Sequence, residues 1–156
     1  MSGDVDVRSE PALRRLADEL EIRNVIARLA QLADTAPDDD LSGYLSLFTE
    51  DAAWVIGAEG GPVAPQERRG LTDIEAGVRE RRAAGVQGPG THTRHLVSTI
   101  AVIFDSDDSA QAPCYWQFFR ETSSGAPLLA GMGEYRNTFV RTAAGWKLAR
   151  RVIYPG

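Results

Sequence analysis

The sequence predicts an α+β fold in which three N-terminal helices pack on a strongly curved antiparallel sheet, an α+β cone. Two observations carry this. Apolar residues recur at helical spacing through the first part of the chain. After Gly90 the pattern changes to four alternating stretches rich in β-branched and aromatic residues, separated by short polar turns. Helices grouped ahead of strands, rather than alternating with them, argue for α+β over a parallel doubly wound sheet.

Residues 1–9 read as a disordered tail and 10–156 as a single domain. From Leu13 the apolar positions 13, 16, 20, 25, 26, 29, 32 and 33 keep a helical period, with Ser9 as a cap and Pro11 tolerated in the first turn. Thr35-Ala-Pro-Asp-Asp-Asp40 breaks that helix. Asp39 or Asp40 then caps a short second helix with an apolar face of Leu41, Tyr44, Leu45 and Phe48. This acidic run reads as capping and solvated surface, not as a metal site.

Thr49 to Gly57 turns strand-like through Ala53-Trp-Val-Ile56. Gly60, Gly61, Pro62 and Pro65 mark a loop with at most a short edge strand. Thr72-Asp-Ile-Glu75 has capping-box spacing and opens a third helix ending near Gly85. The strands follow as Thr93–Phe104, Ala110–Glu121, Leu128–Arg141 and Trp146–Tyr154. Successive strand residues face opposite ways. An inward His95 therefore brings Val97 and Thr99 with it. The next strand offers Trp116 and Phe118, or else Tyr115, Gln117 and Phe119. On the third, Gly131, Gly133, Tyr135 and Asn137 share one face and Met132, Glu134, Arg136 and Thr138 the other. The glycine pair marks a bend or close packing.

At 156 residues, 43% of them hydrophobic, the chain fits one domain with an ordinary core. No twenty-residue apolar run exists for a membrane span, and Met1–Glu10 is too polar for a signal peptide. The formal net charge is −5 and the 16 arginines are scattered, which argues against nucleic-acid binding. One cysteine, Cys114, excludes an internal disulfide and reads as structural. A cytoplasmic protein is expected.

Two residues stand out for chemistry. Asp34 lies in the last turn of the first helix among Leu29, Ala30, Leu32 and Ala33, where a carboxylate opposes the helix dipole. It either finds donors inside the fold or frays into water; position leaves both open. His95 opens a strand, and histidine is the side chain suited to moving protons near neutral pH. A core histidine satisfied by backbone is the alternative. His92 lies in the loop, and on a strand the two histidines face opposite ways, which argues against zinc. No nucleophile elbow, Walker A loop or dinucleotide fingerprint is present, and no cofactor is implied.

Taken together, Leu32-Ala-Asp34, Leu41 to Phe48 running into Thr49-Glu-Asp-Ala-Ala-Trp54, Thr93-Arg-His-Leu-Val-Ser98, Gly133 to Arg141 and Gly145 to Arg151 resemble the SnoaL-like family of the nuclear transport factor 2-like superfamily. The similarity runs from about Leu13 to Tyr154. It points to the branch that includes scytalone dehydratase, bile-acid dehydratase and hexachlorocyclohexane dehydrochlorinase. That resemblance implies an Asp34–His95 dyad inside the cone, with Trp54, Trp116, Phe118 and Tyr135 lining the pocket. Arg151 resembles an arginine that assists the dehydrochlorinase; a surface cation is its other reading. Tyr44 could reach the cavity, but as a helix-face aromatic it reads as core. The chain departs from the branch at Leu29, where the dehydrochlorinase carries a lysine and bile-acid dehydratase a tyrosine, and it has no second pocket histidine.

The resemblance implies a cofactor-independent acid–base enzyme, a lyase of dehydratase type or else an isomerase or polyketide cyclase. Its substrate would be a small hydrophobic carbonyl compound such as a polyketide, steroid or aromatic. Two other readings share the fold: a non-catalytic subunit resembling the β-subunit of ring-hydroxylating oxygenases, and a ligand-binding cone. A homo-oligomer, dimer or trimer, is expected, because the outer face of such a sheet packs on another copy.

Overall fold

A computed structural model describes residues 9–57, 61 and 64–156. Most of the predicted tail lies outside them; Ser9 is already helical instead of preceding the helix as its cap. Helix α1 spans Ser9–Thr35, α2 Ser42–Leu45 and α3 Leu71–Ala83. The strands are β1 (Phe48–Ile56), β2 (Gln66–Arg69), β3 (Arg94–Ser98), β4 (Ile103–Phe104), β5 (Ser109–Gln111), β6 (Cys114–Arg120), β7 (Leu128–Thr142) and β8 (Gly145–Pro155). No helix among the described residues is long and apolar enough to cross a membrane.

The buried stripe of α1 is Ile22, Val25, Ile26 and Leu29, flanked by Asp18 and Asp34. Leu13, Leu16 and Leu20, which the helical period groups with that stripe, are exposed. Neither predicted aspartate caps α2: its N-cap is Leu41, which makes no side-chain cap, and Asp40, one residue earlier, accepts the Ser42 backbone N–H at 3.0 Å. At α3 the capping box does not form. Gly70 is the N-cap, and Asp73 turns back to accept the Arg69 N–H at 2.9 Å, tying the helix start to β2.

The sheet runs β2-β1-β8-β7-β5-β4, with β6 on the first half of β7 and β3 outside β6. One pairing departs from the antiparallel expectation: β1 and β8 are parallel, setting Trp54 beside Arg151. Two predicted strands are each broken in two. Pro113 lacks an N–H to donate to the ladder, so β5 and β6 separate around it. Opposite the break, Thr99 adopts a left-handed backbone (φ 53°), which ends β3 and separates it from β4. Thr99 is therefore exposed rather than sharing the inward face of His95 and Val97.

Register settles the alternatives on the remaining strands. His95 pairs with Phe118 and Val97 with Trp116, while Trp116, Phe118 and Cys114 pair with Gly133, Gly131 and Tyr135. Paired residues share a face. The Trp116 ring lies over Gly131 at 3.4 Å from where a Cβ would stand, and a Cβ on Gly133 would strike the Tyr154 carbonyl oxygen. The glycines make room for an indole against the β7 backbone.

Candidate active site

The C-terminal turn of α1 carries a buried carboxylate, and two features make this tolerable. Arg82 of α3 reaches the end of α1 and donates to the carbonyls of Leu32 (3.3 Å), Ala33 (3.3 Å) and Ala36 (2.7 Å), placing a cation at the negative end of the helix. Asp34 itself accepts two hydrogen bonds from the start of β3. His95 N–H donates to Oδ2 at 2.8 Å, and His95 Nδ1 meets Oδ1 at 2.7 Å. A carboxylate only accepts, so Nδ1 carries the proton and Nε2 presents its lone pair. Asp34 is 3% exposed, and the tilted Phe118 ring, 4.6 Å from the imidazole, packs beside His95.

Across from His95 the sheet contributes Tyr135 and Arg151. Asn137 shapes this wall. Its amide donates to the Ala112 carbonyl at 2.7 Å, beside the break that Pro113 makes, and its oxygen accepts Arg151 Nε at 2.7 Å. Arg151 is thereby held over the Tyr135 ring at 4.2 Å, and Trp116 stacks on Tyr135 with centroids 5.8 Å apart. Burial raises the Tyr135 hydroxyl to about 12 against the opposing pull of Arg151. Burial also raises the Cys114 thiol, which fits an inert packing role.

The third wall comes from α3 and α2. Arg81 stacks on Trp54 at 4.0 Å, and its pKa falls to about 10, first through burial. Tyr44 joins from α2, its hydroxyl raised by burial. Together Leu29, Ala30, Ala33, Tyr44, Trp54, Arg81, Gln87, His95, Tyr135 and Arg151 enclose a cavity of about 30 Å³. That is water-sized, far below the roughly 300 Å³ of a small-molecule site. On the far side of Phe118 lies an open cleft of about 310 Å³, lined by Ala84, Gly85, Val86, Phe118, Arg120 and Ala130.

The structure therefore gathers His95, Trp54, Tyr135 and Arg151 around one space, with Asp34 behind His95 and hydrogen-bonded to it. Trp116 and Phe118 do not line it: Trp116 backs Tyr135, and Phe118 stands between His95 and the outer cleft. Tyr44, read as core from the sequence, belongs to the buried core and also lines the space. His92 is exposed, in a left-handed turn. Arg81 and Gln87 escaped the sequence reading. For Arg81 a signal was present: Ile74, Val78 and Arg81 are spaced i, i+4 and i+7, which puts the arginine on the buried face of α3. Gln87 sits in an irregular loop, where no period marks it.

No curated protein matches the chain. Solved structures do. An NTF2-like protein with a cystatin-like fold from Novosphingobium aromaticivorans is 30% identical over 98% of this chain and 92% of its own, with a TM-score of 0.74. A scytalone dehydratase-like protein of the same organism is 20% identical, covers 93% of this chain and 88% of its own, and has a TM-score of 0.67. The β subunit of an aromatic-ring-hydroxylating dioxygenase-like protein, also from that organism, is 18% identical, covers 92% and 91%, and has a TM-score of 0.68. The last two establish likeness of fold. A family model described as a SnoaL-like domain matches residues 14–152, nearly the whole chain, and the protein belongs to the SnoaL-like family.

Proposed function

We propose that this protein is an acid–base enzyme of dehydratase type, or else an isomerase or cyclase, acting on a small carbonyl compound with His95 as the proton-transfer group. The observation that carries the reading is the double hydrogen bond from His95 to the buried Asp34. It fixes the imidazole in one orientation and one tautomer, leaving Nε2 as the free nitrogen of a ring that lines the cavity.

In this mechanism Nε2 takes a proton from the carbon next to the substrate carbonyl. The C–H electron pair becomes the enolate, and Asp34 stabilises the imidazolium. The Tyr135 hydroxyl and Arg151 donate to the developing oxyanion. The imidazolium then returns the proton to a departing β-hydroxyl, releasing water, or to another carbon, completing an isomerisation. General base catalysis of this kind contributes about 10²–10⁴-fold, and each well-placed oxyanion donor about 10²–10³-fold.

The enclosed space is too small for such a substrate, so binding displaces side chains. Arg81 is the least tethered lining group: among the described residues its guanidinium has the Trp54 ring but no hydrogen-bond acceptor. The cleft beyond Phe118 offers apolar surface from Val86, Phe118 and Ala130 for the rest of a flat hydrophobic molecule.

The test starts without a substrate. Nitrogen-15 NMR of the two imidazoles, in wild type and in Asp34→Asn, should find one ring held as the Nδ1–H tautomer, lost in His95→Ala and released in Asp34→Asn. If both rings show the free tautomer mixture in wild type, the dyad is absent in solution. The structural-subunit reading, which rests on likeness of fold, then becomes the better one. A tight ligand unaffected by Asp34→Asn and never turned over would favour a binding protein instead.

A further inference from the structure

Outside the dyad, the cavity is lined, among the described residues, by two guanidiniums and no carboxylate; its side-chain acceptors are the neutral Gln87 amide oxygen and the Tyr44 and Tyr135 hydroxyls. Arg151 is 6% exposed, and its Nη2 is buried with no hydrogen-bond partner. Arg81, on the facing helix, has no carboxylate within ion-pair distance among the described residues. The neighbouring arginines differ: Arg82 pairs with Asp38 at 2.8 Å, and Arg68 bridges Asp73 (3.2 Å) and Glu80 (2.5 Å). The hydroxyls of Tyr44 and Tyr135 likewise have no acceptor among the described residues. A buried charged donor without a partner is costly, so Arg151 Nη2 calls for an acceptor brought from outside, and the Arg81 guanidinium and the two hydroxyls around the same space are free to join it.

Charge counting says what kind. With His95 neutral, the lining holds two cations, Arg81 and Arg151, against the single carboxylate of Asp34 behind the histidine. Moving a proton from substrate to His95 makes an enolate and an imidazolium together, so the reaction step leaves this net charge unchanged. The surplus cation therefore matches a charge that the substrate carries on arrival. Burial already lowers the Arg81 pKa to about 10, a cost that a bound anion relieves.

We propose that Arg81 and Arg151 form a two-arginine clamp for a negatively charged group of the substrate, and that the enzyme acts on organic monoanions of the carboxylate class. The inference deepens the proposed function by naming the substrate class, and it rests on that reading only for the word substrate. The binding itself stands on the two arginines. A guanidinium stacked on Trp54 and free of other partners can swing onto a carboxylate without breaking a hydrogen bond. Arg151, held at Nε by Asn137, presents Nη2 as a fixed donor.

The experiment compares isosteric pairs, benzoate against benzamide and 2-naphthoate against 2-naphthamide, at constant ionic strength. Binding is followed by tryptophan fluorescence and the His95 imidazole signals. Each carboxylate should bind about tenfold or more tightly than its amide, since only the ionised acceptor pairs its charge with the guanidiniums. Arg81→Gln should remove most of that preference, read as the ratio of the two affinities whatever happens to the amide's own, and Arg81→Lys should restore part of it. Asp34→Asn, which removes a negative charge, should leave the preference intact or enlarge it, so failure of the dyad and failure of the clamp are told apart. Equal affinity for acid and amide, no response of either up to about 20 mM, or a preference that survives Arg81→Gln would overturn the clamp.

Discussion

Asn137 and Arg151, neighbours across the β7–β8 ladder, are joined by a 2.7 Å side-chain hydrogen bond buried at the centre of the sheet. The same amide fills the gap that Pro113 opens between β5 and β6, by donating to the Ala112 carbonyl. One side chain thus repairs the backbone and aims an arginine. Asn137→Ala leaves both the Ala112 carbonyl and Arg151 Nε without partners, and should cost about 2–4 kcal/mol. Urea unfolding checks this; a loss under about 1 kcal/mol would mean that water replaces the amide readily.

Asp34→Asn keeps the shape of the side chain but reduces its capacity to accept. One of the two bonds to His95 must weaken, and the imidazole loses its fixed tautomer. Once a substrate is in hand, kcat should fall about 10²–10⁴-fold with a smaller change in KM. A variant as active as the parent would remove Asp34 from the mechanism.

Asp18 gives the fold an acid sensitivity remote from the site. Arg141 donates to it at 2.9 and 2.6 Å and Trp146 Nε1 at 3.0 Å. Its pKa is lowered from 3.8, first by the Arg141 hydrogen bonds, with burial opposing and Trp146 assisting. The folded value lies below the unfolded one, so this contribution is complete above pH about 4 and is lost as pH falls through the folded value. Asp18→Asn should therefore be less stable than wild type at pH 7 and should lose part of the slope of stability against pH below about 4. Parallel curves for the two proteins would refute this.

Gly133→Ala places a methyl group against the Tyr154 carbonyl and the Trp116 ring. The expected cost is about 1–3 kcal/mol or more, with a changed near-ultraviolet signal from the displaced indole. An unaltered spectrum and midpoint would show that β7 and β8 part easily there.

The outer face of β3, β6 and β7 leaves Leu96, Tyr115, Leu129 and Met132 about half exposed. Such a patch favours self-association. Sedimentation equilibrium should find an oligomer, and Tyr115→Glu should dissociate it toward monomer; a wild-type monomer at high concentration would set this expectation aside.

How far the sequence alone reached depends on the kind of signal. Local periodicity determined three helices, the order of elements, the alternation that places Tyr135 and Asn137 on one face, and the candidacy of Asp34 and His95. These depend on residues near one another in the chain, or on patterns that repeat every two or 3.6 residues. The breaks at Pro113 and Thr99 differ in kind: proline's missing donor is visible in a string of letters, whereas a left-handed threonine is not. Only the tertiary structure decided that Asp34 turns inward, because its two donors come from His95, 61 positions later. It also made the β1–β8 pair parallel, set Trp116 behind Tyr135 and Phe118 between His95 and the outer cleft, and brought Arg81 against Trp54 and into one lining with Arg151. The physical reason is the same in each case. A buried charge is tolerable only through partners that packing supplies from distant segments, and no local pattern encodes where those partners meet.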